Sequence, residues 1–263
     1  MQRLNLPAAV LVALIALLTS SQTTPATDWW RPRPGASWQI QLNASPDISV
    51  EAKVYDIDLW ETSIAKIDTL HRRGRKVICY FSAGSRENWR LDAADFPAAT
   101  IGRPLDGWPG ERWVDIRSPA VRAIMQARLD LAVRKGCDAV DPDNVDGYTT
   151  ATGFPLTPAQ QANYNRFLAT QAHARGLAVG LKNDLAQIPA LVGVFDFAVN
   201  EECFAYNECG RLKPFIDANK PVFQIEYGPA TLKQEICPAA NALRFDSLIK
   251  KLDLGVWRVP CRA

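Results

Sequence analysis

Short runs rich in β-branched and aromatic residues alternate along this chain with longer stretches whose apolar residues recur at helical spacing, and no other feature restricts the fold as much. A strand followed by a crossover helix pairs in parallel with the next strand, so the repeat predicts a parallel sheet covered by helices. Eight runs are present: Trp38 to Leu42, Lys53 to Ile57, Lys76 to Phe81, Asp138 to Asp141, Leu177 to Leu181, Phe197 to Asn200, Pro221 to Ile225 and Val256 to Val259. Eight such units close into a (β/α)8 TIM-type barrel of about 250 residues, which suits a chain of 263. The helical segments at Ser63 to Arg73, Pro119 to Lys135 and Pro158 to Arg175 each stop near a glycine, Gly74, Gly136 and Gly176.

Two departures are expected. Ala44 to Ala52 is too short for a full crossover helix, so the first crossover is irregular, and Glu111 to Ile116 adds strand-like material before the helix at Pro119. A doubly wound open sheet is the alternative, but no Gly-x-Gly-x-x-Gly follows an early strand and no P-loop occurs.

Residues 1–26 read as a signal peptide ahead of a barrel domain over 27–263. Arg3 is the only charge, Leu4 to Leu18 is almost wholly apolar, and Thr24-Pro25-Ala26 offers a small-x-small cleavage site. The expected location is therefore extracytoplasmic, with no membrane attachment after cleavage. A net charge of +2 gives no reason to expect nucleic acid as a partner. Six cysteines in an exported chain imply bridges. Cys203 and Cys209 would close a short loop, Cys237 and Cys261 bracket the last helix and strand, and Cys79 with Cys137 is either a buried bridge or two buried thiols. No CxxC occurs, and His71 and His173, the only histidines, are expected as solvated residues in last helical turns, so no metal or other cofactor is expected.

Residues that end the strands of a parallel barrel converge on one rim, where the active site sits. Here they are overwhelmingly acidic or amide: Gln41 and Asn43; Asp56 and Asp58; Tyr80 and Ser82; Asp141, Asp143, Asn144 and Asp146; Lys182, Asn183 and Asp184; Asn200, Glu201 and Glu202; Gln224, Glu226 and Tyr227. Carboxylates crowded in a cleft raise one another's pKa values, so that one stays protonated as an acid while another remains ionised, as glycoside hydrolysis requires. The sharpest motif is Asp141-Pro142-Asp143-Asn144-Val145-Asp146-Gly147-Tyr148, in which Asp141 and Asp146 can also be read as turn caps. Asn200-Glu201-Glu202-Cys203 ends the sixth run in the same way, and strand alternation sends one of its two glutamates away from the axis.

These motifs, with Trp38-Gln39-Ile40-Gln41-Leu42, Tyr55-Asp56-Ile57-Asp58, Cys79-Tyr80-Phe81-Ser82-Ala83-Gly84, Gly136-Cys137-Asp138, Gly180-Leu181-Lys182-Asn183 and Glu208-Cys209, resemble glycoside hydrolase family 114. That family comprises endo-α-1,4-polygalactosaminidases, (β/α)8 barrels acting on galactosamine-containing polymers. The resemblance spans Trp38 to about Tyr227. It implies that Asp143 and Glu201 form the catalytic pair, with Asp141 and Glu202 as neighbouring candidates. It also implies that Asp56, Tyr80, Asn144, Asp146, Lys182 and Asn200 line the sugar-binding floor. Glu226 joins the sugar-binding set as the carboxylate at the end of the seventh strand. An acidic rim would attract the ammonium of de-N-acetylated galactosamine, and Trp60, Trp89, Trp108 and Trp113 offer ring faces for stacking. Retention or inversion depends on whether the two carboxylates stand about 5 Å or at least roughly 6.5 Å apart.

Two other readings keep the acidic rim. In one, Asp141, Asp143 and Asp146 hold a divalent cation for a metal-dependent polysaccharide hydrolase or deacetylase, although no histidine ends a strand. In the other, the barrel binds carbohydrate without cleaving it.

Overall fold

The structure is a computed structural model that describes residues 28–262 apart from Ala44. The expected signal peptide at 1–26 lies outside the described residues. Eight parallel strands run in sequence order: β1 (Trp38–Gln41), β2 (Val54–Asp58), β3 (Lys76–Ser82), β4 (Ala139–Asp143), β5 (Ala178–Lys182), β6 (Phe197–Glu201), β7 (Val222–Tyr227) and β8 (Asp246–Lys250). Helices α1 (Ile64–Arg72), α2 (Pro119–Lys135), α3 (Pro158–His173), α4 (Ile188–Leu191), α5 (Lys213–Asp217) and α6 (Leu232–Ala242) follow β2, β4's predecessor segment, β4, β5, β6 and β7. The first crossover, between β1 and β2, has no helix among the described residues, as its length implies.

Local chemistry sets the longer helices. Ser63 caps α1 by accepting from the Lys66 amide, Pro119 and Pro158 start α2 and α3, and Thr157 with Gln160 forms a capping box. Gly136 ends α2 at φ 85°, a left-handed value that suits glycine.

Strand alternation builds two cores. Trp38, Ile40, Val54, Ile78, Ala139, Ala178, Phe197, Val199, Phe223, Ile225 and Leu248 fill the barrel interior. The intervening residues, among them Tyr55, Ile57, Val77, Val140, Val179 and Leu181, pack outward against Ile67, Val121, Met125, Leu129 and Leu168 of the helices. Each large apolar side chain buried this way contributes roughly 1.5–3 kcal/mol. Trp29 and Trp30 pack against the interior set from its N-terminal end.

Two expectations are corrected. The eighth parallel strand is Asp246–Lys250, and the run read from Val256 to Val259 instead yields a two-residue strand, Val259–Pro260, antiparallel to it. Asp246, Ser247 and Lys250 hid the true strand, yet all five of its residues are buried. Lys250 donates from Nζ to the Ile40 carbonyl at 2.7 Å and the Trp38 indole donates to the Asp246 carbonyl at 2.7 Å, joining β8 to β1. Neither histidine is a solvated bystander: His71 lies 2.9 Å from Asp138 and His173 lies 2.7 Å from Asp196, with the Trp29 ring stacked on His173 at 3.9 Å. Those aspartates precede β4 and β6, and each also accepts from a backbone amide of the preceding strand, Val77 and Val179.

All six cysteines are bridged. Cys79–Cys137 ties β3 to the turn after α2, Cys203–Cys209 closes the loop after β6, and Cys237–Cys261 ties α6 to the C-terminal segment. The strand-like segment before α2 belongs to a small antiparallel sheet, Ser85–Glu87 and Ile101–Pro104 on either side of Glu111–Val114, which stands beside the barrel mouth.

Candidate active site

Three neighbouring strands end alike. After Asp143, Lys182 and Glu201, the last residues of β4, β5 and β6, the backbone turns left-handed at Asn144 (φ 59°), Asn183 (φ 48°) and Glu202 (φ 60°). The turn stops the extended run and leaves the last inward side chain at the mouth. Asparagine accepts this conformation readily; glutamate does so at a cost of about 1–3 kcal/mol, the kind of strain that gathers at functional sites.

The three side chains meet. Lys182 Nζ lies 3.5 Å from Asp143 Oδ1 and 3.8 Å from Glu201 Oε2, so these carboxylate oxygens are separated by no more than about twice that reach. Asp143 also accepts from the Tyr80 hydroxyl at 3.0 Å and the Asn144 amide at 2.8 Å. Glu201 accepts from the Tyr227 hydroxyl and from Asn183 Nδ2 at 3.1 Å, while its own amide donates to Asn183 Oδ1. Asn144 Nδ2 donates to Ser82 Oγ at 2.9 Å, which pins the end of β4 to β3.

Of the paired candidates, Asp143 reaches the cleft with its side chain 21% exposed, whereas Asp141, two residues earlier on the same strand face, is fully buried beneath it. Glu201 and Glu202 both line the cleft, but only Glu201 touches Lys182. Tyr80, Asn144, Asp146 and Lys182 line the cleft as well. Asp56, Asn200 and Glu226 do not: they are 0%, 1% and 4% exposed, and of the three Asn200 donates to Asn183 of the cleft. Glu226 faces the outer side of β7, where it accepts from the Phe204 amide at 2.9 Å and so anchors the Cys203–Cys209 loop.

The cleft encloses about 1010 Å³. Among the described residues ten carboxylates line it: Asp58, Glu61, Glu87, Asp106, Glu111, Asp143, Asp146, Glu201, Glu202 and Asp253. Against them stand Arg90, Arg103 and Lys182. Arg90 is committed to Asp58 at 2.6 Å and Glu87 at 2.8 Å. Trp89 and Trp108 present half-exposed rings on the wall formed by the small sheet, while Trp113 is nearly buried there. Trp60 lies outside the cleft, under the guanidinium groups of Arg90 and Arg128.

Glycoside-hydrolase family GH114 matches over residues 19–263. The chain belongs to that family. Among solved structures, Aspergillus fumigatus Ega3 in complex with galactosamine is 45% identical, with a TM-score of 0.86 over 89% of this chain and 98% of that one. The glycoside hydrolase domain of PelA from Pseudomonas aeruginosa shares the fold at 15% identity and a TM-score of 0.68, covering 86% of this chain and 98% of its own. A Deinococcus radiodurans protein of uncharacterised function is 28% identical over 253 residues, 85% of this chain and 79% of its own length.

In this GH114 glycoside hydrolase, burial dominates the titration of the acids around the pair. It pushes Asp146 up to about 6, helped by the Asp143 charge, and Asp184 up to about 8, helped by Asp146. It pushes Glu111 up to about 7, against the hydroxyl of Ser85 at 2.7 Å. Burial alone would lower Lys182, but Asp141, Asp143 and Glu201 outweigh it and hold the ammonium charged. Two hydrogen-bond partners of Glu201, namely Tyr227 and Asn183, stood among the strand-end residues without being singled out. Alternation from Phe223 and Ile225 sends Tyr227 inward and Glu226 outward, and that signal was available in the sequence.

Proposed function

We propose that this chain is an exported, endo-acting hydrolase of α-1,4-linked galactosamine-containing polysaccharide, with Asp143 as nucleophile and Glu201 as acid/base. The observation that carries it is the pair itself: two partly exposed carboxylates, each held by a tyrosine hydroxyl and a neighbouring amide, facing one ammonium at the foot of a cleft. The excess of carboxylates along that cleft suits a polymer bearing ammonium groups. Its 45% identity to Ega3, which was captured with galactosamine, supports the same sugar. A cleft of about 1010 Å³ suits a polymeric substrate, and three disulfides suit an oxidising compartment.

Asp143 is surrounded by donors that suit an anionic nucleophile, the role one carboxylate takes in a retaining enzyme. In the alternative in which Asp141, Asp143 and Asp146 hold a divalent cation, the Lys182 ammonium already stands 3.5 Å from both Asp141 and Asp143 and would compete with it.

The test is oligosaccharide release from partially de-N-acetylated α-1,4-galactosaminogalactan, followed by mass spectrometry. Wild type releases galactosamine-bearing oligomers, while Asp143→Asn and Glu201→Gln lose at least about 10³-fold in turnover and still bind polymer. Intact polymer with wild type, or equal cleavage by the variants, contradicts the assignment.

A further inference from the structure

Below the catalytic pair lies a second tier of charge for which the hydrolytic scheme has no use. Asp56 of β2 and Asp141 of β4 are both fully buried inside the barrel. Neither carboxylate oxygen of Asp56, nor Oδ1 of Asp141, has a donor among the described residues. The other Asp141 oxygen faces Lys182 Nζ at 3.5 Å. Two carboxylates cannot both stay ionised in such a place against one ammonium shared with two further acids. Burial first, and the Asp141 charge next, hold Asp56 protonated well above the usual carboxylate range, which turns one of its orphaned oxygens into a donor toward Asp141.

We propose that Lys182 is an electrostatic pivot between Asp143 and Glu201, and that Asp141 and Asp56 are positioning residues that fix its ammonium between them. The inference rests on the hydrolytic reading above. In the first half-reaction an Asp143 oxygen bonds to the anomeric carbon as the bond from that carbon to the glycosidic oxygen breaks, and the Glu201 proton passes to the departing oxygen. Negative charge thus disappears from Asp143 and appears on Glu201. In the second half-reaction Glu201 takes a proton from water, the water oxygen bonds to the anomeric carbon, and the bond to Asp143 breaks, so the charge returns. A cation 3.5 Å from one carboxylate and 3.8 Å from the other serves both states without moving, which is the advantage of a preorganised site over solvent.

Lys182 is 2% exposed, and a cationic sugar gains nothing by approaching another ammonium, so a sugar-binding role suits it poorly. The groups that face the pair from every side are Asp56 of β2, Tyr80 of β3, Glu111 of the small sheet, Asp141 and Asp146 around β4, and Tyr227 of β7. Tyr80 also presents its ring face to Lys182 Nζ, 5.4 Å from the centroid.

The test is the pH profile of kcat and kcat/KM for the full mature chain on the same polymer. Lys182→Met is expected to lower kcat about 100-fold with KM changed by less than about threefold. Loss of the cation makes both carboxylates harder to ionise, so both limbs of its profile should move to higher pH by about a unit. Asp56→Ala should lower kcat about tenfold and Asp56→Asn should recover most of that loss, because the amide supplies a neutral donor of the same shape. If Lys182→Met does not fold, as thermal melting would reveal, Lys182→Met with Asp141→Asn leaves no buried unpaired charge and should show a kcat loss of the same order. A raised KM with unmoved limbs, or no recovery in Asp56→Asn, overturns the pivot while the losses in Asp143→Asn and Glu201→Gln leave the hydrolytic reading intact. Full turnover by either of those two variants overturns the hydrolytic reading first, and the pivot with it.

Discussion

Asp184 illustrates at the residue scale how burial at the barrel mouth keeps a carboxyl protonated at the expense of stability at higher pH. Its carboxyl is buried, accepts from Tyr148 at 3.2 Å and Asn165 at 2.9 Å, and still titrates at about 8 because burial and the nearby Asp146 disfavour its charge. In the unfolded chain the same group loses its proton near pH 4. Between those values the native state binds more protons than the unfolded state, so stability from this group is full below about pH 4 and lost as pH rises toward about 8. Asp184→Asn should therefore melt progressively higher relative to wild type as pH increases across that window, by a few degrees at the top. A melting difference that stays constant from pH 4 to 8 would contradict the assignment. Strand-end position placed Asp143, Glu201 and Lys182 among the rim residues, and all three line the cleft; the preference for Asp143 and Glu201 over their neighbours came from the family resemblance. Position alone failed at Glu226, where side-chain chemistry was weighed above strand parity and Tyr227 was the residue that reached the pair.

At the scale of elements, the ends of β3 and β4 are the most exacting join. Gly84 passes so close to the Asn144 carbonyl that a Cβ there would sit 1.7 Å from it, and the Ala83 and Gly84 amides both donate to the Asp143 carbonyl. Gly84→Ala should push the β4 end outward, lower kcat at least about tenfold and lower the melting temperature; unchanged kinetics would show that the loop is free to shift. Strands and helices were legible where the apolar pattern was clean: α1, α2 and α3 end beside the three expected glycines, and seven strands lie where the β-branched runs stand. The eighth was not legible. Its inward Lys250 and Asp246 are buried because they close the seam with β1 and the N-terminal segment, and such a requirement comes from tertiary contacts that no local pattern encodes.

For the molecule as a whole, the carboxylates of one cleft sit in a chain of nearly balanced charge, so the field is concentrated where the polymer must lie. The screening length falls from about 30 Å at 0.01 M salt to about 3 Å at 1 M. KM for a de-N-acetylated polymer should therefore rise at least about tenfold across that range while kcat changes little, and a fully N-acetylated polymer should show no such dependence. Equal salt responses from both polymers would remove charge from the explanation of specificity. The most direct measurement of the central claim is time-resolved ¹H NMR of the reducing ends formed in the first minutes of cleavage. Asp143 acting as nucleophile yields the α-anomer first, with the β-anomer growing in by mutarotation; β-anomer first would mean that Asp143 activates water instead and would contradict the mechanism.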